Sequence, residues 1–342
     1  MDFRGICKRY LKMKRETNLN PTMKDVAQES GLSLATVSKV INGLPVGKAS
    51  RQKVEAAIKK LGYQVNNYAR ALKSNKTYSV ALVLPSLKHP FFAHLTDELT
   101  KNLMSRGYRA ILMITNYDLD AEQKSFAMVR SNKMDGVIAL TYSPDLEVGD
   151  SISIVTIDRH LDENIPCVSS DNFRGGELAA KKLIELGCRK LLFMRITSRI
   201  PGEPNKRCAG FESVCQSKNI DYETLLFTDD EPEEPIFQFL ENHIHDGELA
   251  YDGIFCNSDI LASQVIRFLS ERNISIPDQV QLIGYDGIID RFTDRYVCST
   301  IEQPIAQMAE TAVNLLLNPD ENTAGANICL PVRYVSGGTT KE

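Results

Sequence analysis

Residues 22–42 read "TMKDVAQESGLSLATVSKVIN", and how this stretch folds decides the character of the whole chain. Thr22 and Asp25, three positions apart, have the spacing of a capping box and place a helix start at Met23. Val26 and Ala27 supply an apolar face, and Gly31 ends that helix after two turns. Ser33 can cap a second helix, in which Val37, Val40 and Ile41 recur at helical spacing. A third helix is expected after Ser50, with Val54, Ile58 and Leu61 turned inward. Two short helices joined by a tight glycine turn and braced by a third make a helix-turn-helix. Such a unit sets the N-terminal part of its second helix into the DNA major groove. Here that turns Leu34, Ala35, Ser38 and Lys39 toward base edges, with Ser33, Thr36 and Asn42 nearer the phosphates.

Charge supports the reading. Residues 1–76 hold 16 Lys and Arg against 5 Asp and Glu, a local charge of +11. The remainder holds 24 against 39, or −15, so the overall −4 conceals a basic head on an acidic body. A basic head of this kind suits a polyanion. With 342 residues, 43% of them hydrophobic, the chain has room for two or three cores. No apolar run approaches the ~18 residues of a membrane span. The opening "MDFRGICKRYLKMKR" lacks the apolar segment of a secretory signal. The eight cysteines are scattered without a C-x-x-C pair, as expected of buried, reduced thiols in the cytoplasm.

From Thr77 onward, short apolar runs alternate with amphipathic segments. The runs are "SVALVLP", "RAILMIT", "DGVIALT", "SIVTID", "KLLFMRI", "DGIFCNS" and "QLIGYDG". Helical stretches lie around 91–106, 120–133, 174–187, 205–219, 234–247, 259–272 and 304–317. Continuous Val/Ile/Leu strands between helices mean parallel sheets covered on both faces. So many units suit two doubly wound subdomains sharing a cleft, where ligands sit beyond the carboxyl ends of the strands. At those ends stand Phe91 and Phe92, Asp158 and Arg159, Asp259 and Asp286, with Arg207 in a loop leading into a helix. Aromatic faces with carboxylates and guanidinium forks fit a polyhydroxylated ligand. Simpler roles stay open: core packing for the two phenylalanines, helix capping for Asp259, a neighbouring carboxylate for Arg159, and an Arg207–Asp286 ion pair.

The residues also carry a resemblance. "KDVAQESGLSLATVSKVIN", "SRQKVEAAIKKLGY" and the polar helix that follows resemble the headpiece of the lactose/galactose repressor (LacI) family. The body is similar to the periplasmic-binding-protein-like effector domain of the same regulators, through "SSDNFRGGELAAKKLIELGCRKLLF", "RCAGF", "FCNSDILA", "IPDQVQLIGYDG" and "STIEQP". The pattern departs at Ser30 for Ala, Lys39 for Arg and Ser258 for Asn, and Val65 replaces the Pro before the hinge.

The resemblance implies an α/β protein with a helix-turn-helix headpiece and hinge helix. These precede a periplasmic-binding-protein-like body of two doubly wound parallel-sheet subdomains. Its parts would be a basic extension at 1–21 (or a translation start at Met13), a DNA-binding domain at 22–64, a hinge at 65–76 and an effector-binding body at 77–342. Within the body, the N-subdomain would take about 77–171 and 303–328, and the C-subdomain about 172–302 and 329–342. Thr22 joins the DNA-facing residues. Asn66, Ala69 and Leu72 match the hinge positions that line the minor groove, where the leucine wedges into a base step. Arg207 and Asp286 match positions that hold the effector, while Phe91, Phe92, Asp158 and Gln303 match other ligand-facing ones, and Ser258 stands at such a position where the family has Asn. The implied partners are double-stranded operator DNA, a sugar-like effector and a second copy of the chain, with no cofactor and no membrane. A dimer also follows from physics, since two heads on a two-fold axis double the site that one short helix can read.

An enzyme is the rival class for such a body. The chain has no G-x-S-x-G, no phosphate-binding glycine loop and no dinucleotide fingerprint after the first strand. His243 and His245 would be a metal pair without a third ligand nearby, so a solvated face is the simpler reading. Cys208 beside Arg207 reads as an activated thiol or, more simply, as a small packed residue.

Overall fold

The structure, a computed structural model, describes residues 21–41, 43–63, 76–141, 146, 152–197, 202–228, 234–319 and 324–342. The chain divides into two compact units, Met1–Thr77 and Tyr78–Glu342. The expected contacts of Asn42, Asn66, Ala69 and Leu72, and most of the 1–21 extension and 65–76 hinge, lie outside the described residues.

The head contains three helices among its described residues: α1 (Met23–Ser30), α2 (Leu34–Ile41) and α3 (Lys48–Leu61). The capping box forms as read. Thr22 Oγ1 accepts from the Asp25 amide at 3.4 Å, and Asp25 Oδ2 accepts from the Thr22 amide at 2.7 Å. Gly31 takes φ +66°, the left-handed turn that admits glycine readily. The Thr36 amide donates to Ser33 Oγ at 3.1 Å, so Ser33 caps α2. The third helix starts at Lys48, before the expected Ser50, with Gly47 at its N-cap and no side-chain cap to mark the start. Val26, Val37, Val40, Val54, Ala57 and Tyr63 close the small core.

The body is built on two six-stranded sheets. The first holds β1 (Ser79–Leu84), β2 (Arg109–Ile114), β3 (Gly136–Ala139), β4 (Ile154–Ile157), β5 (Cys167–Ser170) and β15 (Asn327–Leu330), all parallel, in the order β15-β5-β4-β3-β1-β2. Strand β1 shows why an uninterrupted apolar run is needed. Val80, Leu82 and Leu84 face one core with α4 (Pro90–Ser105) and α10 (Ile305–Leu317). Ala81 and Val83 face the other with α5 (Leu119–Ser131).

The second sheet runs β16-β14-β11-β10-β6-β7. Its strands are β6 (Lys190–Thr197), β7 (Asp221–Thr228), β10 (Gly253–Cys256), β11 (Gln281–Asp286), β14 (Thr300–Glu302) and β16 (Arg333–Val335), the last antiparallel. Helices α6 (Asn172–Glu185) and α7 (Lys206–Lys218) cover one face. Helices α8 (Glu234–Asn242) and α9 (Asp259–Ser270) cover the other. Two hairpins, β8–β9 (Ile244–His245, Glu248–Leu249) and β12–β13 (Ile289–Asp290, Arg295–Tyr296), are peripheral. The helix expected over 234–247 thus stops at Asn242, and His245 lies in a hairpin. Asp246 and Gly247 at its tip both have positive φ, which a turn accepts and a helix does not.

The chain passes between the sheets three times: from β5 to α6, from β14 to α10, and from β15 to β16. The third crossing lies at Pro331–Val332, so Cys329 and Leu330 belong to the first subdomain and not to the C-subdomain expected from 329 onward. The crossings are tied together. Ser170 Oγ donates to Gln303 Oε1 at 2.7 Å, and the Asp171 amide donates to the Leu330 carbonyl at 2.7 Å.

Candidate functional site

In the head, packing of Val37 and Val40 turns the other side of α2 outward. Leu34 is 43% exposed, and Ala35 and Lys39 are exposed with it. Ser33 Oγ and Thr36 Oγ1 lie 2.9 Å apart, so both hydroxyls brace the start of this helix. Leu34 is thus held outward at the start of α2, which is the arrangement a groove-reading helix requires.

In the body, a cavity of about 270 Å³ opens between the two sheets at the carboxyl ends of their strands. Of the residues expected there, Phe91, Phe92, Asp158, Arg159, Arg207, Ser258, Asp286 and Gln303 line it. Phe91 and Phe92 are 6% and 8% exposed and meet edge to face at 5.7 Å. They therefore serve the first core and the cleft wall together.

Asp259 departs from the expectation. It neither lines the cavity nor caps α9, whose N-cap is Ser258, with Oγ accepting from the Leu261 amide at 3.3 Å. Instead its buried carboxylate accepts from the amides of Gly287 and Ile288 at 2.9 and 2.7 Å and from Thr300 Oγ1 at 2.7 Å. Asp286 has φ +122°, a conformation unfavourable for a residue with a side chain. Asp259 holds the turn that follows it, and so positions Asp286 from beneath.

Asp286 Oδ1 accepts from Gln303 Nε2 at 2.7 Å. Its Oδ2 has no hydrogen-bond partner and faces His89 Nε2 at 3.8 Å. His89 caps α4 through Nδ1, which accepts from the Phe91 amide at 3.3 Å, so Nε2 carries the hydrogen toward Asp286. Asp158, at φ +56° after β4, also has an unpartnered oxygen, Oδ1. Burial pushes its carboxyl up to about 6, against the opposing pull of the Arg207 guanidinium. Burial likewise pushes Asp286 up, with His89 and Arg207 opposing it.

Arg207 is 5% exposed. Its Nε donates to Asn172 Oδ1 at 2.7 Å, an Nη donates to the Asn257 carbonyl at 2.6 Å, and the guanidinium lies 3.5 Å over the Tyr285 ring. Among the described residues it makes no ion pair with Asp286. Its place depends on a close helix crossing: a Cβ on Gly176 of α6 would lie 2.0 Å from the Arg207 carbonyl oxygen, and one on Gly210 of α7 would lie 2.0 Å from that of Phe173.

The sequence reading missed His89, Tyr117, Arg195, Asn257 and Gln264, which also line the cavity. Asn257 follows β10 directly and Arg195 is near the end of β6, so the strand-end rule would have found both. Tyr117, three residues beyond β2, follows the same rule, whereas Gln264, in the middle of α9, has no such signal. Elsewhere, His243 Nδ1 lies 2.7 Å from the Phe239 carbonyl, and no group of ligands able to hold a metal occurs among the described residues. Burial raises the Cys208 thiol to about 12, the direction of a packed residue.

Comparison with known proteins finds matches to both the head and the body. Residues 22–66 match the model of bacterial regulatory proteins of the lacI family, and residues 180–340 match that of a periplasmic binding protein-like domain. The sucrose operon repressor of Streptococcus mutans is 33% identical over 321 residues, covering 92% of this chain and 98% of that protein. The ribose operon repressor of Bacillus subtilis is 32% identical over 329 residues, 94% of this chain and 99% of that protein. A periplasmic binding protein/LacI transcriptional regulator of Alkaliphilus metalliredigens, solved with D-xylulofuranose, superposes with a TM-score of 0.66 at 27% identity, over 78% of this chain and all of that one. The lac repressor dimer on its operator shares the fold, with a TM-score of 0.80 at 20% identity, over 95% of this chain and all of that one. A reading helix on a basic head, a cleft at the strand ends of a paired-sheet body and relatives matched along almost their whole length agree: the chain belongs to the lacI family of bacterial regulatory proteins, DNA-binding transcriptional regulators that carry an effector-binding body.

Proposed function

We propose that this regulator is a cytoplasmic, dimeric repressor that is not an enzyme, and that its effector is a sugar bound in the body's cleft by Phe91, Phe92, Asp158, Arg159, Arg207, Ser258, Asp286 and Gln303. The observation that carries the reading is the juxtaposition of an aromatic wall with a buried guanidinium and two carboxylates, each with an unpartnered oxygen. Hydroxyl groups satisfy all of these at once, accepting from arginine and donating to aspartate while the ring's C–H face lies on phenylalanine. The D-xylulofuranose held by the Alkaliphilus protein supports the same class.

A thermal-shift panel of D-ribose, sucrose, cellobiose, adenine and guanine tests it. A sugar at about 100 times its Kd adds roughly 2.7 kcal/mol to the native state, a rise of several degrees in Tm, without turnover. Stabilisation by a purine alone, or chemical conversion of the sugar, would sink the reading.

At the other end of the chain, Thr22, Ser33, Leu34, Ala35, Thr36, Ser38 and Lys39 are assigned to operator DNA. Asn42, Asn66, Ala69 and Leu72 join them by the sequence pattern. Lys39 is a point charge without arginine's fork, so it supports phosphate and single-acceptor contacts over bidentate reading of guanine. Because two basic heads displace counterions, operator affinity should fall about 10³-fold between roughly 50 and 200 mM salt. A flat gel-shift titration over that range would contradict the assignment.

A further inference from the structure

Asp158 and Asp286 stand at the carboxyl ends of strands in opposite sheets, β4 and β11, and both line the cleft. Each side chain is 4% exposed, and each has an oxygen with no hydrogen-bond partner. Each residue is also held at a positive φ that side chains disfavour. Two carboxyls in strained backbone, buried and incompletely bonded, are unfavourable for a fold with no ligand to answer them.

The groups that face them are few. Arg207, Glu203, Arg159, Asp286, Tyr285 and Cys167 act on Asp158, and His89, Arg207, Asp259, Asp158 and Tyr285 act on Asp286. The cation common to both, Arg207, already donates to Asn172 and the Asn257 carbonyl. Glu203 Oε1 is engaged by His160 and Lys206, at 3.0 and 2.8 Å.

Resting on the sugar reading above, we propose that effector binding expels a proton from the cleft, from the carboxyl groups of Asp158 and Asp286, so that acid weakens the response. In the empty cleft the cheapest remedy for an unpartnered buried carboxylate is to hold its proton. A hydroxyl that donates to the carboxylate favours the ionised form, and the carboxyl O–H proton passes to solvent. Binding therefore tightens as pH rises through the carboxyl's value in the empty cleft and weakens as pH falls through it. For Asp158 that value is about 6.

Isothermal titration of the full chain with D-ribose and with sucrose tests the proposal. The expected affinity is about tenfold weaker near pH 5 than near pH 8, from one carboxyl alone. In phosphate and imidazole buffers near pH 6.5 the observed heats should differ by the released proton's contribution. In Asp158→Asn the pH slope should shrink along with that difference in heat. Sugar binding with equal heats in the two buffers and a flat pH profile overturns the proposal and leaves the sugar reading standing. A chain that neither sugar binds at any pH loses both.

Discussion

Arg207→Ala is expected to reduce effector affinity by at least about 100-fold, or roughly 3 kcal/mol, while operator binding by the effector-free protein survives. The guanidinium lies 3.5 Å over Tyr285 and donates to Asn172 and the Asn257 carbonyl, so three elements meet at one side chain. Removing it deletes the cleft's shared cation and leaves Asn172 Oδ1 and the Asn257 carbonyl without a donor. Arg207→Lys keeps the charge but loses the planar fork, so an intermediate loss is expected. The head is a separate compact unit with its own core, which is why DNA binding should persist. Calorimetry paired with a gel shift checks both halves. Unchanged effector affinity would remove Arg207 from the site, and lost DNA binding would show that its role extends beyond it.

Gly176→Ala is expected to be the more damaging change to the fold. The added methyl would lie 2.0 Å from the Arg207 carbonyl oxygen and 2.8 Å from the Phe211 amide nitrogen, and backbone cannot rotate aside as a side-chain tip can. Helices α6 and α7 must separate, disturbing the core of Ala180, Phe211 and Tyr285 together with the base of the cleft. A loss of about 3 kcal/mol is expected, the upper part of the range for overpacking. Urea denaturation measures it. Gly187→Ala is a useful contrast: its Cβ would meet nothing within 4 Å, and its penalty comes only from φ +96°. Equal losses at the two positions would mean that the helix crossing is looser than the structure indicates.

Much of this was legible in the chain because the signals are local. Capping at Thr22 and Ser33, the Gly31 turn and the apolar spacing of Val37 and Val40 each involve residues within a few positions of one another, so they survive reading one segment at a time. Strand β1 was plain for the same reason: a strand buried on both faces must be apolar throughout. Strands β5 and β7 were less plain. "CVSS" carries two serines, and "DYETLLFT" lies at a sheet edge, where polar residues alternate with apolar ones.

The strand-end rule located the cleft and most of its lining, since topology fixes which end of a parallel sheet is concave. It could not assign what each carboxylate does. Asp259 and Asp286 follow neighbouring strands and look alike in sequence, yet one supports backbone amides beneath the cleft and the other lines it. His89 acquires its meaning from Asp286, 197 positions away in the chain, and Gly176 from the carbonyl of Arg207. The sequence by itself thus indicated the family through the resemblance of its motifs, and it determined the headpiece helices, most of the sheet strands and the end of the sheets at which the cleft opens, because periodicity, capping and strand composition act at short range. Only the tertiary structure decided which buried groups are answered by a neighbour and which face the cleft without one, because burial and hydrogen bonding are properties of residues brought together across the fold.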